Sequence, residues 1–182
     1  MPPTTAAQTV AVAPPTEASF YISATQPATR PRLSLKHNDT FVVLDSHGDI
    51  GTSEGTDGLF HCDTRFLSRL ELLVNDAQPL LLASNLRDDN AALVVDLTNR
   101  DVISDQHIVL EKDTVHILRT IFLWQDTAYQ RFGVRNYGDR AIDVCLSILF
   151  ANDFADIFEV RGTHRERRGT ATASYAATIR CC

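Results

Sequence analysis

Three acidic residues near the end of the chain have the types and spacing that could support acid and base chemistry. Asp153, Asp156 and Glu159 lie three residues apart, so neighbouring members share a face on a helical turn, whereas on a strand the middle one would point the other way. Cleavage of a glycosidic bond uses one carboxylic acid and one carboxylate across the bond. Carboxylates on one short turn also serve as helix caps or as partners of arginines such as Arg161. Because the sequence supplies no opposed second wall, the structural interpretation is favoured.

A short helical turn that follows a strand is predicted to carry these acids. Phe154, Ile157 and Phe158 are apolar at the i, i+3 and i+4 positions of a helix. Residues 141–151, directly before them, read as a strand. The two phenylalanines stand beside charged side chains, which is typical of a domain contact with apolar anchors inside a polar rim.

The rest of the folded part consists of short apolar runs between turn residues, which predicts an all-β protein. About seven to nine strands at close spacing, joined by hairpins, favour an antiparallel β-sandwich over a barrel. A turn is expected at 45–48 and another at Asn75-Asp76. The predicted pairs are 40–44 with a strand from 49–50, 69–74 with 78–83, 103–111 with 115–123, and 129–136 with 141–151, while 91–97 is a further strand.

The two ends of the chain differ in composition from its middle. Six of the seven prolines fall between residues 2 and 31, so residues 1–32 are predicted to be a disordered tail. The sandwich domain is expected over 33–169. Residues 170–182 show little apolar alternation and are expected to be an irregular end, typical of a truncated or frame-altered chain.

Composition and cysteine usage argue against several classes of protein. With 182 residues and 44% hydrophobic content, the chain can bury one core. Its 17 basic and 23 acidic residues give a net charge of -6, which argues against nucleic acid as the main partner. Isolated Cys62 and Cys145, with adjacent cysteines at 181–182, match neither a disulfide framework nor a zinc pair, so a cytoplasmic location is expected. No apolar run approaches a membrane span, so no membrane partner is expected.

No metal, cofactor or nucleophile site is predicted. His61, Cys62 and Asp63 form the only local group of metal-ligand types, and neighbours on a strand would point to opposite faces. Ser68 and Cys62 lack the glycine-flanked elbow of a serine hydrolase. The glycines of 51–58 do not stand between a strand and a helix at the spacing of a phosphate loop, so they are expected to act as loop hinges.

The Asp63-Thr64-Arg65 triplet places a carboxylate, a hydroxyl and a guanidinium in an otherwise apolar segment. A polar network that fastens a loop to the sheet is the favoured interpretation, because buried polar groups need partners whatever the function. The alternative is that Asp63 and Arg65 contact sugar hydroxyls.

Two separated motifs, residues 58–68 (Gly-Leu-Phe-His-Cys-Asp-Thr-Arg-Phe-Leu-Ser) and 152–162 (Asn-Asp-Phe-Ala-Asp-Ile-Phe-Glu-Val-Arg-Gly), are followed by an arginine-rich run. In this order they resemble the N-terminal domain of bacterial and archaeal glycogen debranching enzymes of the amylo-α-1,6-glucosidase type. The resemblance covers about Leu35 to Gly169. It implies a β-sandwich that precedes a larger (α/α)6 catalytic domain, which carries both catalytic acids and hydrolyses α-1,6 branch linkages of glycogen-like glucans.

The resemblance therefore assigns no catalytic residue to this chain and implies no cofactor. The expected partner is the (α/α)6 domain, with α-glucan as a further candidate ligand. Two alternatives stay open: an inactive fragment, and a free-standing carbohydrate-binding module that stacks sugars on exposed aromatic residues such as Trp124, Tyr129 or Tyr137. The candidate substrate-binding or domain-contact residues are Asp63, Arg65, Phe154, Asp156, Phe158, Glu159 and Arg161.

Overall fold

The computed structural model describes residues 32–51, 55–164 and 177–181. Strands dominate this part of the chain, and one short helix follows the last long strand. The elements are β1 (Leu33–His37), β2 (Thr40–Leu44), β3 (Gly58–His61), β4 (Thr64–Leu67), β5 (Arg69–Val74), β6 (Leu80–Leu86), β7 (Ala92–Thr98), β8 (Val102–Ser104), β9 (His107–Leu110), β10 (Val115–Trp124), β11 (Thr127–Asn136), β12 (Leu146–Ala151), α1 (Ile157–Val160) and β13 (Ala177–Cys181).

Every strand pairing among the described residues is antiparallel, in four sheets. One sheet has the order β1-β2-β3-β4 and another has the order β11-β10-β7-β6. A third contains β13-β12-β5, and β8 and β9 form a separate ribbon. A bridge between Ile50 and Leu70 links the chain after β2 to β5. The expected all-β sandwich is confirmed.

One hydrophobic core lies between the sheets. Alternate residues of β2, β7 and β10 are buried, as the two-residue period of a strand requires. These strands therefore turn one apolar face inward and the other toward solvent. The core is formed mainly by Leu35, Val42, Leu44, Ile50, Leu70, Leu72, Val74, Leu93, Val95, Leu97, Val115, Ile117, Ile121 and Leu123.

Several predicted pairings are wrong, and the segment 103–111, expected as one strand, forms the two short strands β8 and β9, which pair with each other. Residues 69–74 pair with β12 and not with 78–83, which lie in part within β6 and pair with β7. The turn at 45–48 is present, but Ile50 then pairs with Leu70 and not with β2. Pairing of distant strands depends on how the sheets pack, which local turn signals do not report.

The hairpin pairing is also different around β10. Residues 115–123 were expected to pair with 103–111, and 129–136 with 141–151. Instead β10 pairs along its whole length with β11. The tight turn between them is Gln125-Asp126, with φ values of 45° and 59°. A two-residue turn without glycine or asparagine is a weak sequence signal, which explains why this hairpin was missed.

Residues 177–181 form β13 against β12, where an irregular end was expected for 170–182. Backbone groups on the side of β12 away from β5 need hydrogen-bond partners, and this segment supplies them. The tail expected over 1–32 lies, up to residue 31, outside the described residues. The one described helix, α1, has four residues, so no helix in the described ranges could cross a membrane.

Candidate functional site

The hairpin of β3 and β4 carries the first of the two motifs. Its turn consists of Cys62 and Asp63, with φ values of 45° and 62°. Two consecutive positive φ values make the tight turn whose twist matches a hairpin. The turn brings the sulfur of Cys62 within 3.4 Å of the His61 ring nitrogen Nε2, although neighbours on a strand were expected to point apart. Nδ1 of the same ring lies 2.8 Å from the hydroxyl of Thr40.

The second motif, residues 152–162, lies directly along β4. The Arg65 amide donates to the carbonyl of Ala155 at 2.8 Å, and the Ile157 amide donates to the carbonyl of Asp63 at 2.9 Å. Thr64 forms an isolated bridge with Asp156. Segments that are about ninety residues apart in sequence thus share backbone hydrogen bonds, and the two motifs form one structural unit.

Arg65 is the polar centre of this junction. The residue is 4% exposed, and its Nε lies 3.1 Å from both carboxylate oxygens of Asp153. Nη2 donates to the same carboxylate, while Nη1 donates to the carbonyls of Gly55 at 2.8 Å and Asp57 at 3.3 Å. Each guanidinium nitrogen therefore bonds inside the protein. This arrangement supports the polar network rather than a sugar contact for Arg65.

Gly58 makes room for the Arg65 side chain. A Cβ at this position would lie 2.6 Å from Cδ of Arg65 and 3.0 Å from the carbonyl oxygen of Leu67. Any larger residue would push the guanidinium away from its acceptors. The glycine expected to be a loop hinge therefore has a packing role.

The three acids of the second motif have separate structural partners. Asp153 binds Arg65, and its Oδ1 also accepts from the Ala155 amide at 3.3 Å. Asp156 caps α1 by accepting from the Phe158 amide at 2.9 Å, and Glu159 accepts from the Asp156 amide at 3.1 Å. This reciprocal capping box starts the short helix. Among the described contacts, no two of these carboxylates face each other as an acid and base pair would.

The acids were interpreted as helix caps or as partners of arginines such as Arg161, and the arginine that binds Asp153 is Arg65. Arg161 is exposed at the end of α1, and the described part of the chain holds no ion pair to it. Gly162, with φ of 100°, ends the helix, and its amide donates to the carbonyl of Glu159 at 3.0 Å. The exposed carboxylate of Asp63 likewise has no ion pair among the described residues.

Three phenylalanines project from this junction into solvent, and we call them the aromatic patch. Phe66, Phe154 and Phe158 are 42%, 57% and 61% exposed. The rings of Phe66 and Phe154 meet edge to face at 5.7 Å, and His61 lies 6.2 Å from Phe66. Phe154 has φ of 49°, which is costly for a bulky residue. Phe66 was not among the predicted contacts, yet inward-pointing Arg65 implies that its neighbour on β4 points outward.

The family comparison covers both motifs. A family model described as the N-terminal domain of (some) glycogen debranching enzymes matches residues 35–180. The chain belongs to this family. The match confirms the resemblance and extends it beyond Gly169, to the end of the chain that contains β13. Comparisons with curated proteins and with solved structures give no match.

This debranching-enzyme N-terminal domain contains a second buried arginine that sequence reasoning missed. Arg119, on β10, is 0% exposed. Its Nη1 donates to Asp49 at 2.6 Å and to the carbonyl of His47 at 2.9 Å, and its Nε donates to Gln130 at 3.1 Å. Burial raises the pKa of Asp49, although the charge of Arg119 acts in the opposite direction. An arginine at an inward position of a strand, as alternation along β10 places it, was the available signal.

The described residues of the domain contain no group of three His, Cys, Asp or Glu side chains that could hold a metal ion. The candidate site is the surface at which the two motifs share backbone hydrogen bonds and display the aromatic patch.

Proposed function

We propose that the chain is the non-catalytic β-sandwich of a glycogen-debranching-type glycoside hydrolase and packs through the aromatic patch on an (α/α)6 catalytic domain. The parent reaction is hydrolysis of α-1,6 branch linkages. The main observation behind the proposal is the junction itself, in which residues 58–68 and 152–162 share backbone hydrogen bonds and display exposed phenylalanines within the range that the family model matches.

Chemistry is assigned to the partner because the acids here already have other partners. Hydrolysis of a glycosidic bond requires two carboxyl groups that face the bond from opposite sides. Asp156 and Glu159 are joined in the capping box, and Asp153 is bound to Arg65. Releasing them would break the junction, so their contribution is structural.

The aromatic patch has the composition of an interface core. Exposed phenylalanines are costly on a monomer surface unless a partner covers them, and aromatic anchors surrounded by charges are typical of binding hot spots. Asp63 and Arg161 are exposed and unpaired within the described ranges, so they can serve as its polar rim. The strained backbone of Phe154 supports a positioned contact.

A cytoplasmic location is part of the proposal. Cys62 is an exposed free thiol, which is characteristic of a reducing compartment. Glycogen-like substrates of the parent reaction are consistent with the same compartment.

The activity test uses the full chain with a limit dextrin and measures glucose release. No release above background is expected, because no opposed acid pair is assembled. Release that disappears in Glu159→Gln would contradict the proposal and make the acid cluster catalytic.

The docking test mixes the full chain with a debranching-type (α/α)6 domain and follows the complex by size-exclusion chromatography with light scattering. The double variant Phe154→Ala, Phe158→Ala should weaken association at least about tenfold. The matched control is Ile108→Ala, Val109→Ala, which removes side chains of 55% and 60% exposure from β9. Equal association of wild type and patch variant would contradict docking through the patch.

A further inference from the structure

The solvent face of the β10–β11 hairpin forms a continuous strip of aromatic and polar side chains. Alternation along β10 buries the odd-numbered residues from Val115 to Leu123 and turns the even-numbered ones outward. Their cross-strand partners on β11 share this face. We call the following pairs the outer strip: His116 with Arg135, Leu118 with Gly133, Thr120 with Arg131, Phe122 with Tyr129, and Trp124 with Thr127.

One end of the outer strip is an aromatic surface. Trp124 is 54% exposed and is held by the ring of His37, whose centroid lies 5.2 Å away. Phe122 and Tyr129 stack on each other at 4.9 Å, and Tyr129 is 42% exposed. Trp124 is the only tryptophan in the chain. A large apolar ring left in water on a regular strand is a feature that a ligand would explain.

The other end combines a second ring with polar groups. Tyr137, 61% exposed, lies under the guanidinium of Arg135 at 4.9 Å and near the ring of His116 at 6.3 Å. His116 is fixed from the neighbouring strand β7 by Asp96, at 2.8 Å. These groups are held in place before any ligand arrives, which lowers the entropy lost on binding.

The middle of the outer strip lacks a projecting side chain on β11. Gly133 has no side chain opposite Leu118, and a Cβ there would only reach ordinary contact with Leu118 at 3.7 Å. Thr120 and Arg131 provide a hydroxyl and a guanidinium beside this flat step. From position 116 to position 124 the strip extends roughly 26 Å at about 3.3 Å per residue. An extended chain of several units fits this length better than a single small molecule.

The combination of exposed rings and hydrogen-bonding groups on the strip fits a sugar chain. Sugar rings present apolar C–H faces, which suit aromatic rings, and hydroxyl edges, which suit arginine, histidine and carboxylate groups. The strip itself carries Arg131 and Arg135 beside Asp96, but the whole chain has a net charge of -6, so a long polyanion would be repelled by the surface around these two arginines. We infer that the outer strip binds an α-glucan chain, an inference that takes the identity of the glucan from the proposed function.

The strip leads toward the aromatic patch. The turn after Trp124 places the carboxylate of Asp126 3.4 Å from the hydroxyl of Thr40 and 3.9 Å from Nδ1 of His61. His61 in turn contacts Phe66 of the patch. A glucan held on the strip would therefore be presented close to the surface proposed to meet the catalytic domain.

The test is electrophoresis of the full chain in gels that contain glycogen, with titration of maltoheptaose by calorimetry. Wild type should be retarded by glycogen, and Trp124→Ala should weaken the affinity at least about tenfold. Trp124→Phe keeps a ring and should retain most of the binding. Ile108→Ala, which removes a side chain of similar exposure from β9, outside both the strip and the aromatic patch, should bind glycogen like wild type.

The outcomes separate this inference from the docking proposal. Absence of wild-type retardation, equal loss in Trp124→Ala and Ile108→Ala, or retardation by heparin but not by glycogen would each overturn the glucan strip. Loss of glycogen binding in Trp124→Ala alone supports the strip, even where the patch variant still associates with the catalytic domain. Loss of association in the patch variant, with glycogen binding absent in wild type, would support docking and overturn only the strip.

Discussion

Two buried arginines, Arg65 and Arg119, bind a carboxylate in different surroundings. The Arg65 side chain is 4% exposed, but that of its partner Asp153 is 27% exposed. The Arg119 side chain is 1% exposed and that of its partner Asp49 is 5% exposed. The first pair joins two distant segments at the surface, while the second lies between the sheets. Burial of the carboxylate is the main difference between them.

This difference in burial indicates different roles: the Arg65 pair positions the aromatic patch, and the Arg119 pair belongs to the packing between the sheets. Water can still reach Asp153, so the desolvation cost of this pair falls mainly on the Arg65 guanidinium, which is compensated by Asp153 and two backbone carbonyls. Asp49 has lost almost all its water, and burial raises its pKa despite the arginine. The buried pair of Arg119 and Asp49 is tolerated because their other donors and acceptors are hydrogen-bonded as well. Arg119 donates to the His47 carbonyl and to Gln130, and Asp49 accepts from the Leu72 amide.

The largest expected effect is that of Arg119→Ala. Removing the guanidinium leaves Asp49 and the His47 carbonyl buried without their donor and opens a cavity, so the unfolding free energy should fall by about 3–5 kcal/mol. Urea unfolding of the full chain measures it. Arg119→Lys keeps the positive charge but lacks the planar, multiple donors of the guanidinium, so its unfolding free energy should lie between those of Arg119→Ala and wild type. An unchanged midpoint for Arg119→Ala would show that the buried pair is dispensable.

Arg65→Ala should destabilise the chain less, by about 2–3 kcal/mol, because Asp153 can be hydrated while the carbonyls of Gly55 and Asp57 lose their donor. The same urea experiment measures it. Gly58→Ala, which forces Arg65 from its place, should produce a comparable loss. An Arg65→Ala loss as large as that of Arg119→Ala would remove the distinction between the two pairs.

Sequence reasoning found one of these arginines and missed the other. Arg65 was identified because a local triplet of polar residues interrupts an apolar run. Arg119 stands alone among apolar residues, and its partner lies 70 residues away, across the core. Strands such as 40–44 and 69–74 were likewise predicted from local patterns. Their partners were not, because pairing over long distances is decided by packing of whole sheets.

The aromatic patch, too, could be predicted from the sequence only where its residues are close together in the chain. Phe154 and Phe158 were identified from helical spacing beside charges, yet Phe66 enters only when β4 is laid against residues 152–162. Helical spacing predicted a short turn after the strand, and α1 forms there with Asp156 and Glu159 as its capping box. Which acid would bind Arg65 could not be read from the sequence, since the two lie 88 residues apart.

A smaller effect is expected in the pH dependence of stability. The folded-state pKa of Asp49 lies above its usual value, so between the unfolded and folded pKa values the folded chain binds the extra proton. The contribution of Asp49 to the unfolding free energy therefore falls as pH rises through this window and is constant above it. The unfolding free energy of wild type minus that of Asp49→Asn, measured by urea unfolding from about pH 4 to 7, should decrease as pH rises. A difference that increases would mean that Arg119 outweighs burial.

The smallest effect is expected for a third arginine, which isolates burial from geometry. Arg69 binds Glu71 through two hydrogen bonds of 2.9 and 2.8 Å, a fork as good as that of Arg65, but its side chain is 44% exposed. Solvent replaces both bonds when the arginine is removed, so Arg69→Ala should change the unfolding free energy by less than about 0.5 kcal/mol. Urea unfolding beside Arg65→Ala gives the comparison. A loss equal to that of Arg65→Ala would show that fork geometry, and not burial of the guanidinium, determines the strength of these pairs.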